Sequence, residues 1–489
     1  MDAQGTEHQR ATVLIEGGLI KAVLPGAPSD GTSASDTQEI DGTGHLLMPG
    51  LINAHFHSSV NHLKGALDSL PLEIFMLYES PSDGLAVDAR VAYVRTMLGA
   101  LEMLKGGVTT VLDDAFFVPT PTPELIDAVM QAYQDCGIRA VLALDQPNLP
   151  ELDKLPFLAE LLPPPLRARA AADPTMDADG LLACYRHLLE RWHGREQGRL
   201  RAAVSCSAPQ RVTRPYFHAL DELSRQHGLP FYIHILETQL QRVLGLERFG
   251  GRSLIRYVHD EGFLSDRMNI IHGVWLDEAD MDLIAQAGAV IAHNPISNLR
   301  LGSGVMPFRQ LRSRGIPICL GTDEAIADDA VSMWSVAKLA GLIHNLNGAD
   351  YEAWPKAEEV LDCLIRGGAR ALRSPVPIGQ ITAGHQADLV LIDLDTLAFT
   401  PLNDLRRQLV YCENGSSVRL TMVAGRIVYE HGAVKGIDEG ALRQEAREQA
   451  ARLNSQNALR HAAADEWLPY YREMYLRAAA RDVGMRRRL

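Results

Sequence analysis

Eight short apolar runs alternate along the middle of the chain with longer stretches of helical periodicity. Between the runs, segments such as 92–107 and 122–137 place apolar residues on one face and end in glycine, which is typical of helices. Parallel strands need such crossover helices, so the alternation predicts a parallel sheet. The predicted strands cover residues 50–55, 108–113, 138–144, 200–206, 230–235, 268–273, 288–293 and 316–323.

Short strands separated by turn residues also occur at both ends of the chain, in residues 1–50 and 375–435. Neither piece is long enough to be a domain alone, so we expect the two to form one small β-sandwich. The strand and helix units between them, in residues 51–374, match a (β/α)8 TIM barrel in size. A doubly wound open sheet is the alternative, but it has no need of eight repeats. The predicted fold class is therefore α/β, a barrel with a composite β-sandwich built from both termini.

Two further segments belong neither to the strand and helix units of the barrel nor to the β-sandwich. Residues 146–198 are rich in proline and longer than a barrel loop requires, so we expect a lid or side excursion over the carboxyl ends of the strands. Residues 436–489 have the pattern of charged helices that pack outside the barrel or against a second subunit. We accordingly expect a homo-oligomer, a dimer or larger.

The composition argues against several classes of protein. The 489 residues include 47 Lys and Arg against 61 Asp and Glu, a net charge of −14 that repels nucleic acid and anionic lipid. The six cysteines are scattered and form no Cys-x-x-Cys pair, which favours a reducing compartment. The first residues lack the pattern of a secretory signal, and no apolar run reaches the roughly 18 residues that span a bilayer. We therefore expect a cytoplasmic protein without a nucleic-acid or membrane partner.

Five polar residues lie at the predicted carboxyl ends of barrel strands. His55 and His57 end the first run, and side chains at i and i+2 of a strand point the same way. His234, His272 and Asp323 lie at the ends of the fifth, sixth and eighth runs. Each histidine alone could be a core residue bonded to a backbone carbonyl, but their shared position favours a metal site at the barrel mouth. Imidazoles with one carboxylate suit Zn²⁺ best, with Fe²⁺ as the alternative.

One metal ion is the simpler prediction for this site. Some barrels hold two ions through a carbamylated lysine, but no lysine occurs in the fourth run, residues 200–206. Three or four protein ligands on one ion leave room for a reactive water.

Several ordered motifs resemble the amidohydrolase superfamily. They are PGLINAHFHSSVNHLKGALDSLPL, FYIHILET, IIHGVWL, AHNPISNLRLGSG, CLGTDEA and IGQITAGHQADLVLIDL. The similarity covers about residues 11–435 and is greatest to the branch of methylthioadenosine/adenosylhomocysteine deaminases and of triazine and guanine aminohydrolases. The resemblance implies a metal-bearing (β/α)8 barrel with a β-sandwich from both termini, and a hydrolase acting on C–N bonds other than peptide bonds.

The resemblance also implies roles for single residues. It makes four residues the ligands of one divalent ion: His55, His57, His234 and Asp323. Asp323 would also take a proton as hydroxide adds to the substrate. Glu237 matches the acid that contacts a ring nitrogen of the substrate and relays a proton. His272 matches the histidine that orients the attacking water and stabilises the developing negative charge.

Other residues near the mouth are secondary candidates for substrate binding. Asp113 ends the second run, where the family carries an acid, and is either a substrate contact or a hydrogen-bonded structural group. Asn298 and its neighbour Ser297 would shape the mouth after the seventh strand, and Trp275 would cover the pocket or fill it. His293 is expected to support the ligands rather than to be one. For His62 and Glu79, near the first loop, the alternatives are a substrate contact and a solvated loop residue, of which we expect the second.

The chain departs from the nucleoside deaminases where substrate would bind. After the fourth strand it has SCSAPQRVT, with Ser207 and Gln210, in place of a segment that contains histidine. Leu144 followed by Asp145 replaces an arginine at the end of the third strand. The loop after the eighth strand reads GTDEAIADD and adds three acids: Glu324, Asp328 and Asp329. Acids gathered at one mouth favour a basic, amine-rich or amidine-like substrate, although acids on a solvated rim would have the same sequence pattern.

The predicted function is that of a metal-dependent aminohydrolase, a deaminase that attacks an amino-substituted nitrogen heterocycle with hydroxide. Two alternatives stay open. The same site could hydrolyse a cyclic amide or amidine bond, because hydroxide attack on a carbonyl needs almost the same groups. The other alternative is a non-catalytic barrel that serves as a scaffold.

Overall fold

The computed structural model describes residues 7–26, 37–79 and 87–488, apart from the side chains of 454–457. Its strands are β1 (Ala11–Glu16), β2 (Leu19–Pro25), β3 (His45–Pro49), β4 (Leu51–His57), β5 (Val108–Ala115), β6 (Arg139–Leu144), β7 (Leu200–Ala202), β8 (Val204–Ser205), β9 (Phe231–Ile235), β10 (Met268–His272), β11 (Val290–His293), β12 (Ile318–Leu320), β13 (Asp323–Glu324), β14 (Leu389–Asp393), β15 (Val418–Val423), β16 (Arg426–Glu430) and β17 (Ala433–Val434).

The α-helices surround these strands. They are α1 (Leu72–Glu79), α2 (Ala89–Lys105), α3 (Pro123–Cys136), α4 (Glu151–Lys154), α5 (Leu158–Leu161), α6 (Pro164–Ala170), α7 (Ala178–Trp192), α8 (Arg195–Gly198), α9 (Arg214–His227), α10 (Gln239–Arg248), α11 (Leu254–Asp260), α12 (Glu278–Ala287), α13 (Pro295–Arg300), α14 (Phe308–Ser313), α15 (Ala325–Asp328), α16 (Met333–Ile343), α17 (Ala357–Asp362), α18 (Gly368–Leu372), α19 (Leu405–Tyr411), α20 (Glu439–Asp465) and α21 (Leu468–Ala479). Among the described residues, no helix combines the length and the apolar character needed to cross a lipid bilayer.

Strands β4 to β13 build a closed parallel barrel. They form two five-stranded sheets, ordered β13-β4-β5-β6-β7 and β8-β9-β10-β11-β12, in which every pair is parallel. The chain passes from β7 to β8 across Ala203 and from β12 to β13 across Gly321 and Thr322, so two interrupted runs join the sheets at both edges. The barrel therefore contains eight strand runs. This confirms the predicted (β/α)8 barrel and excludes the open sheet.

Alternate residues of the barrel strands fill the barrel interior. Successive side chains of a strand point to opposite sides, so one parity of each strand faces inward and the other packs against the helices. The parity of a strand therefore decides which residue at its carboxyl end faces the mouth. The inward-facing cluster includes Ile52, Ala54, Leu112, Val141, Ala143, Ala203, Tyr232, Ile271, Val290, Ala292 and Cys319.

Local sequence signals begin and end the outer helices. Thr122 caps α3, with its hydroxyl accepting a backbone amide of the first turn, and Pro123 follows at a position where no amide hydrogen is needed. Gly137 ends the same helix in the left-handed region, at φ +82°. Helix α12 begins with a capping box made by Asp277 and Asp280. Such caps define where each helix returns the chain to the next strand.

Strands from the two ends of the chain form the predicted composite sheet. β3 pairs with β14 in a five-stranded antiparallel sheet ordered β17-β16-β15-β14-β3, and β1 pairs with β2 in a separate hairpin. A buried bidentate ion pair ties the barrel to this sheet. Arg139, the first residue of β6, places Nε 2.6 Å and Nη2 3.1 Å from the two carboxylate oxygens of Asp388, which precedes β14.

The proline-rich segment and the C-terminal helices pack on each other. Helices α5 and α6 contact α21 through an apolar cluster that includes Leu158, Leu166, Trp467 and Met474. The predicted excursion 146–198 includes α7, but α7 packs against α3 and β7 as an outer helix of the barrel. Helix α20 packs along α2. The excursion from the barrel is thus shorter than residues 146–198.

Candidate metal centre and active site

Four histidines and one aspartate meet at the carboxyl end of the barrel. His55 and His57 lie at the end of β4, His234 in β9, His272 at the end of β10 and Asp323 at the start of β13. The ring centroid of His55 lies 4.6 Å from that of His57, 5.0 Å from that of His234 and 5.9 Å from that of His272. The fold therefore brings together residues that are up to 268 positions apart in the sequence.

Asp323 faces two of these imidazoles. Its Oδ1 lies 3.2 Å from His55 Nε2 and 3.4 Å from His57 Nε2, and its Oδ2 accepts a hydrogen bond from the Ser297 hydroxyl at 2.7 Å. Burial alone would raise the pKa of Asp323, but the surrounding imidazoles, His55 first among them, hold that pKa well below its usual range. The carboxylate is therefore ionised and can act as a ligand.

Backbone carbonyls hold the outer nitrogens of two histidines. His57 Nδ1 is bonded to the carbonyl of Asp114, and His234 Nδ1 is bonded to the carbonyl of Ser207 at 2.9 Å. A carbonyl only accepts, so each Nδ1 carries the proton and each Nε2 keeps its lone pair. Burial lowers the pKa of both rings, which keeps them neutral. Metal ligation requires this protonation state and this kind of fixed orientation.

The donor set fits a divalent metal ion. The buried Nε2 of His55 makes no hydrogen bond of good geometry in the described part of the chain. Ligand atoms of His55, His57 and Asp323 lie within 4.8 Å of one another, as do those of His55, His234 and His272. Imidazoles joined by one carboxylate are ordinary ligands of transition metals in proteins.

Glu237 lies beside this centre. Its Oε2 is 3.4 Å from His272 Nε2, and its Oε1 accepts a hydrogen bond from the Ser303 hydroxyl at 3.2 Å. Burial, followed by the negative charges of Asp323 and Glu73, raises the pKa of Glu237 well above its usual value. The environment therefore favours the protonated carboxyl, which can donate a hydrogen bond or a proton.

One asparagine orients His272. The Nδ1 of the ring lies 2.9 Å from Asn298 Oδ1. An amide oxygen only accepts, so this assignment puts the proton of the ring on Nδ1. Burial lowers the pKa of His272, so the ring is neutral and its Nε2, 3.7 Å from Asp323 Oδ2, can accept a hydrogen bond. Asn298, a candidate substrate contact in the sequence analysis, thus contacts His272.

The backbone adopts unusual conformations at this site. His272 has φ +70° and Asp323 has φ +62°, in the left-handed region that costs a residue other than glycine on the order of 1–3 kcal/mol. Gly321 allows a close approach between strands, because a Cβ there would lie 2.6 Å from Asn294 Oδ1 and 2.7 Å from His55 Cβ. The glycine of the GTDEA motif is therefore required by the packing of β4 against the eighth strand run.

Asp113 does not face the mouth. Its Oδ1 accepts from the Ser58 amide at 2.9 Å and its Oδ2 accepts from the Tyr133 hydroxyl at 2.7 Å. Both carboxylate oxygens are thus used inside the barrel wall, and Asp113 is fully buried. Of the two roles considered for Asp113, the structure supports the hydrogen-bonded structural group rather than the substrate contact.

The next residue, Asp114, faces the interior instead. Strand β5 continues to Ala115, and Asp114 shares the parity of Leu112, which lies in the inward-facing cluster. Its Oδ2 accepts from the Ser205 hydroxyl at 3.0 Å and lies 3.9 Å from His234 Nδ1. The predicted run 108–113 ends two residues before β5 does and therefore leaves out Asp114, which the parity of Leu112 could have revealed.

Comparison with known proteins gives this architecture a family. The model of the amidohydrolase family matches residues 46–428. The chain belongs to the amidohydrolase family. It is 31% identical over 448 residues to a 5-methylthioadenosine/S-adenosylhomocysteine deaminase of Nitratidesulfovibrio vulgaris, covering 91% of this chain and 94% of that protein. It is 28% identical to a 5'-deoxyadenosine deaminase of Methanosarcina mazei, covering 93% of this chain and 97% of that protein.

Solved structures share the fold of this amidohydrolase. An adenosine deaminase from Xanthomonas campestris with bound zinc superposes with a TM-score of 0.79 at 26% identity, covering 93% of this chain and 97% of that chain. An atrazine chlorohydrolase from Arthrobacter aurescens, complexed with zinc, has a TM-score of 0.79 at 25% identity, covering 90% and 95%. These matches confirm the predicted family and fold, and the chain is a hydrolase of this family.

Two secondary candidates of the amidohydrolase, Trp275 and His293, are buried, and a third, His62, is half-buried. Trp275 is 2% exposed and its indole donates to the Ser303 carbonyl at 2.8 Å, so it fills the wall rather than covering the pocket. His293 pairs with His344, with the two Nε2 atoms 3.1 Å apart. His62, expected to be solvated, is half-buried, and burial lowers its pKa to about 3.

The acids that follow β13 divide into separate environments. Glu324 is in hydrogen-bond contact with Glu79, so Glu79 is not the solvated loop residue that we expected. Burial raises the pKa of Glu79 to about 7. Asp329 instead pairs with Arg300 at 2.5 Å. The Oδ2 of Asp328 is buried without a hydrogen-bond partner among the described residues. Only Glu324 of these three contacts another carboxyl group beside the centre.

Proposed function

We propose that this amidohydrolase is a metal-dependent deaminase that releases ammonia from an amino-substituted nitrogen heterocycle. One observation carries the proposal: His272 lies 3.4 Å from a carboxyl group that favours its protonated form, Glu237, and 3.7 Å from an ionised one, Asp323. A proton donor and a proton acceptor thus stand beside the same centre, as deamination requires. The relatives named as deaminases and the named atrazine chlorohydrolase support a substrate of this class.

We further propose that the centre holds one zinc ion. The ligands would be His55, His57, His234 and Asp323, and the zinc in two related solved structures supports this choice over Fe²⁺. The fourth strand run offers no lysine for a carbamate bridge to a second ion. When bound, the ion would supply a hydroxide nucleophile near neutral pH by lowering the pKa of water from 15.7 to about 7.

The residues around the ion would carry the protons. Ionised Asp323 would accept a proton as the attack begins. Neutral His272 would hold the attacking water through Nε2 and would stabilise negative charge once it is protonated. Glu237 would donate to the ring nitrogen next to the amino-bearing carbon, because that nitrogen becomes more basic as the carbon becomes tetrahedral. Proton transfer of this kind contributes about 10²- to 10⁴-fold to rate.

The test is ammonia release by the metal-loaded protein from a panel of aminopurines and amino-triazines. We expect ammonia and a ring carbonyl in equal amounts, and Glu237→Gln should lower kcat by about 10²- to 10⁴-fold at unchanged metal content. Glu278→Gln, an equal change of charge on the exposed face of α12, should leave kcat unaltered. Cleavage of cyclic amides to acids without ammonia would instead support the alternative reaction. If neither class of compound is turned over, the non-catalytic scaffold would be the remaining alternative and the proposed function would be wrong.

We also propose a cytoplasmic location and a homo-oligomer. All six cysteines are unpaired and five of them are buried, which supports a reducing compartment. The only support for the oligomer is the charged helical tail. Sedimentation of the purified protein tests the proposal directly. A single species with the mass of one chain would contradict the oligomer.

A further inference from the structure

Three carboxyl groups line the wall next to the candidate metal centre. They come from α1, from the residue after β6 and from β13, and we call them the acidic wall: Glu79, Asp145 and Glu324. The family resemblance assigned a role to none of the three. Their positions derive from three separate parts of the barrel, so the wall is a feature of the tertiary structure.

Asp145 is the member that points directly at the centre. It shares the inward parity of Val141 and Ala143, and its ligand atom lies within 4.8 Å of those of His57 and His234. The residue is 7% exposed, and its Oδ1 is buried without a hydrogen-bond partner among the described residues. A carboxylate oxygen that is both buried and unpaired is costly unless something else satisfies it.

Glu79 and Glu324 form the second part of the wall. Their side chains are in hydrogen-bond contact with each other. The Oε1 of Glu79 has no hydrogen-bond partner within the described ranges. Glu79 is close enough to Asp145 for the charge of Asp145 to act on it, so the pair lies near the first part of the wall.

The chain supplies little positive charge to balance this wall. In the part of the chain that the structure describes, no lysine or arginine forms an ion pair with Glu79, Asp145 or Glu324. Arg211 is close enough to lower the pKa of Glu79, but the charge of Arg211 also acts on Glu151 in the proline-rich segment. The nearby Arg300 is paired with Asp329.

We propose that the acidic wall binds a positively charged group of the substrate. The heterocycle would then carry a protonated amine, amidine or guanidine substituent in addition to the amino group that is released. This inference rests on the proposed function, because it assigns the substrate class of the same site. Asp145 would be the main contact, since its carboxylate lies within 4.8 Å of the ligand atoms of His57 and His234 and one of its oxygens is unpaired among the described residues. A hydrogen bond between two ionised groups at such a position gives about 10- to 100-fold preference over a neutral group.

Asp145 has a second possible role, as a metal ligand, that must be distinguished from a role as a substrate contact. Because its carboxylate lies near the ligand atoms of His57 and His234, it could be a further ligand of the metal ion. The two uses differ in a measurable way. A ligand would change the metal content when it is removed, whereas a substrate contact would change the preference for charge.

The experiment uses matched ligands that differ in one charge. Adenines substituted at N9 with 3-aminopropyl, 3-hydroxypropyl and 3-carboxypropyl chains, and diaminotriazines with the same three chains, are titrated calorimetrically into the metal-loaded full chain. We expect the aminopropyl compounds to bind about 10- to 100-fold more tightly than the hydroxypropyl compounds, and the carboxypropyl compounds to bind most weakly. Ammonia release from the same compounds tests the proposed function separately, so its failure does not decide the charge preference.

Two variants and one control complete the test. Asp145→Asn should reduce the ratio of amine to hydroxyl affinity at least tenfold at unchanged metal content, and Glu79→Gln should reduce it in the same direction. Asp266→Asn, an equal change at the opposite end of the barrel before β10, should keep the ratio of the unaltered protein. Equal affinity for the three charges, absence of binding by the aminopropyl compounds, or loss of metal from Asp145→Asn would each overturn the inference.

Discussion

The residues at the barrel mouth are tightly packed, and Gly321 is an example. A Cβ at this position would lie 2.7 Å from the carbonyl oxygen of His55. We expect Gly321→Ala to displace His55 and to weaken metal binding about 10- to 100-fold, the effect seen when groups supporting metal ligands are altered. Metal content after dialysis against a weak chelator measures this. Gly348→Ala is the control, because a Cβ there meets nothing within 4 Å, and equal metal loss in both variants would contradict the prediction.

Asp328 makes stability depend on pH. Burial first, and then the charge of Glu102, raises its pKa from 3.8 to about 8. Between these values the folded protein holds a proton that the unfolded chain releases, so the free energy of unfolding falls as pH rises through this window. We expect Asp328→Asn to remove this dependence. The free energy of unfolding of the variant, relative to that of the unaltered protein, should be higher at pH 8.5 than at pH 4.5 by on the order of 2 kcal/mol, a value reduced for the partial exposure of the carboxyl. Urea denaturation at both pH values measures the difference, and a gain of equal size at both would exclude this cause.

At the scale of elements, the strands were predictable and their ends were not. A parallel strand is buried on both faces and leaves a continuous apolar run, which is why all eight predicted runs overlap barrel strands. The predicted run 108–113 ends before β5 does, so Asp113 was weighed as the candidate acid at its end and the inward-facing Asp114 was not considered. The contact between Glu79 and Glu324 joins two distant elements, and no local pattern encodes it.

The packing of α21 on the proline-rich segment leads to a prediction about that segment. Met474 is fully buried in the cluster between α21 and α5. We expect Met474→Ala to cost about 2–5 kcal/mol and to expose α5 and α6 to proteolysis. Cleavage sites identified by mass spectrometry after brief protease treatment report this. Leu476→Ala, on the exposed side of the same helix, should leave the cleavage rate unchanged, and equal rates for both variants would count against the prediction.

Across the whole molecule, one buried ion pair joins the barrel to the terminal sheet. Asp388→Ala would leave the guanidinium of Arg139 buried without its partner, and we expect a loss of about 3–5 kcal/mol in the free energy of unfolding. The matched control is Asp393→Ala, which removes the more exposed partner of Arg419 and should cost about 1 kcal/mol or less. Chemical denaturation measures the free energy of unfolding of both variants. Similar losses would show that the buried ion pair stabilises the fold no more than the exposed one.

The composite sheet also sets the order in which the molecule is completed during synthesis. Strand β3 leaves the ribosome early, yet its partner β14 is made only after the entire barrel has been translated. At the usual pace of about 5–20 residues per second, β3 waits tens of seconds with an unpaired edge. The five-stranded sheet therefore cannot be completed until the barrel has been translated, and any barrel structure that forms in this interval forms without that sheet.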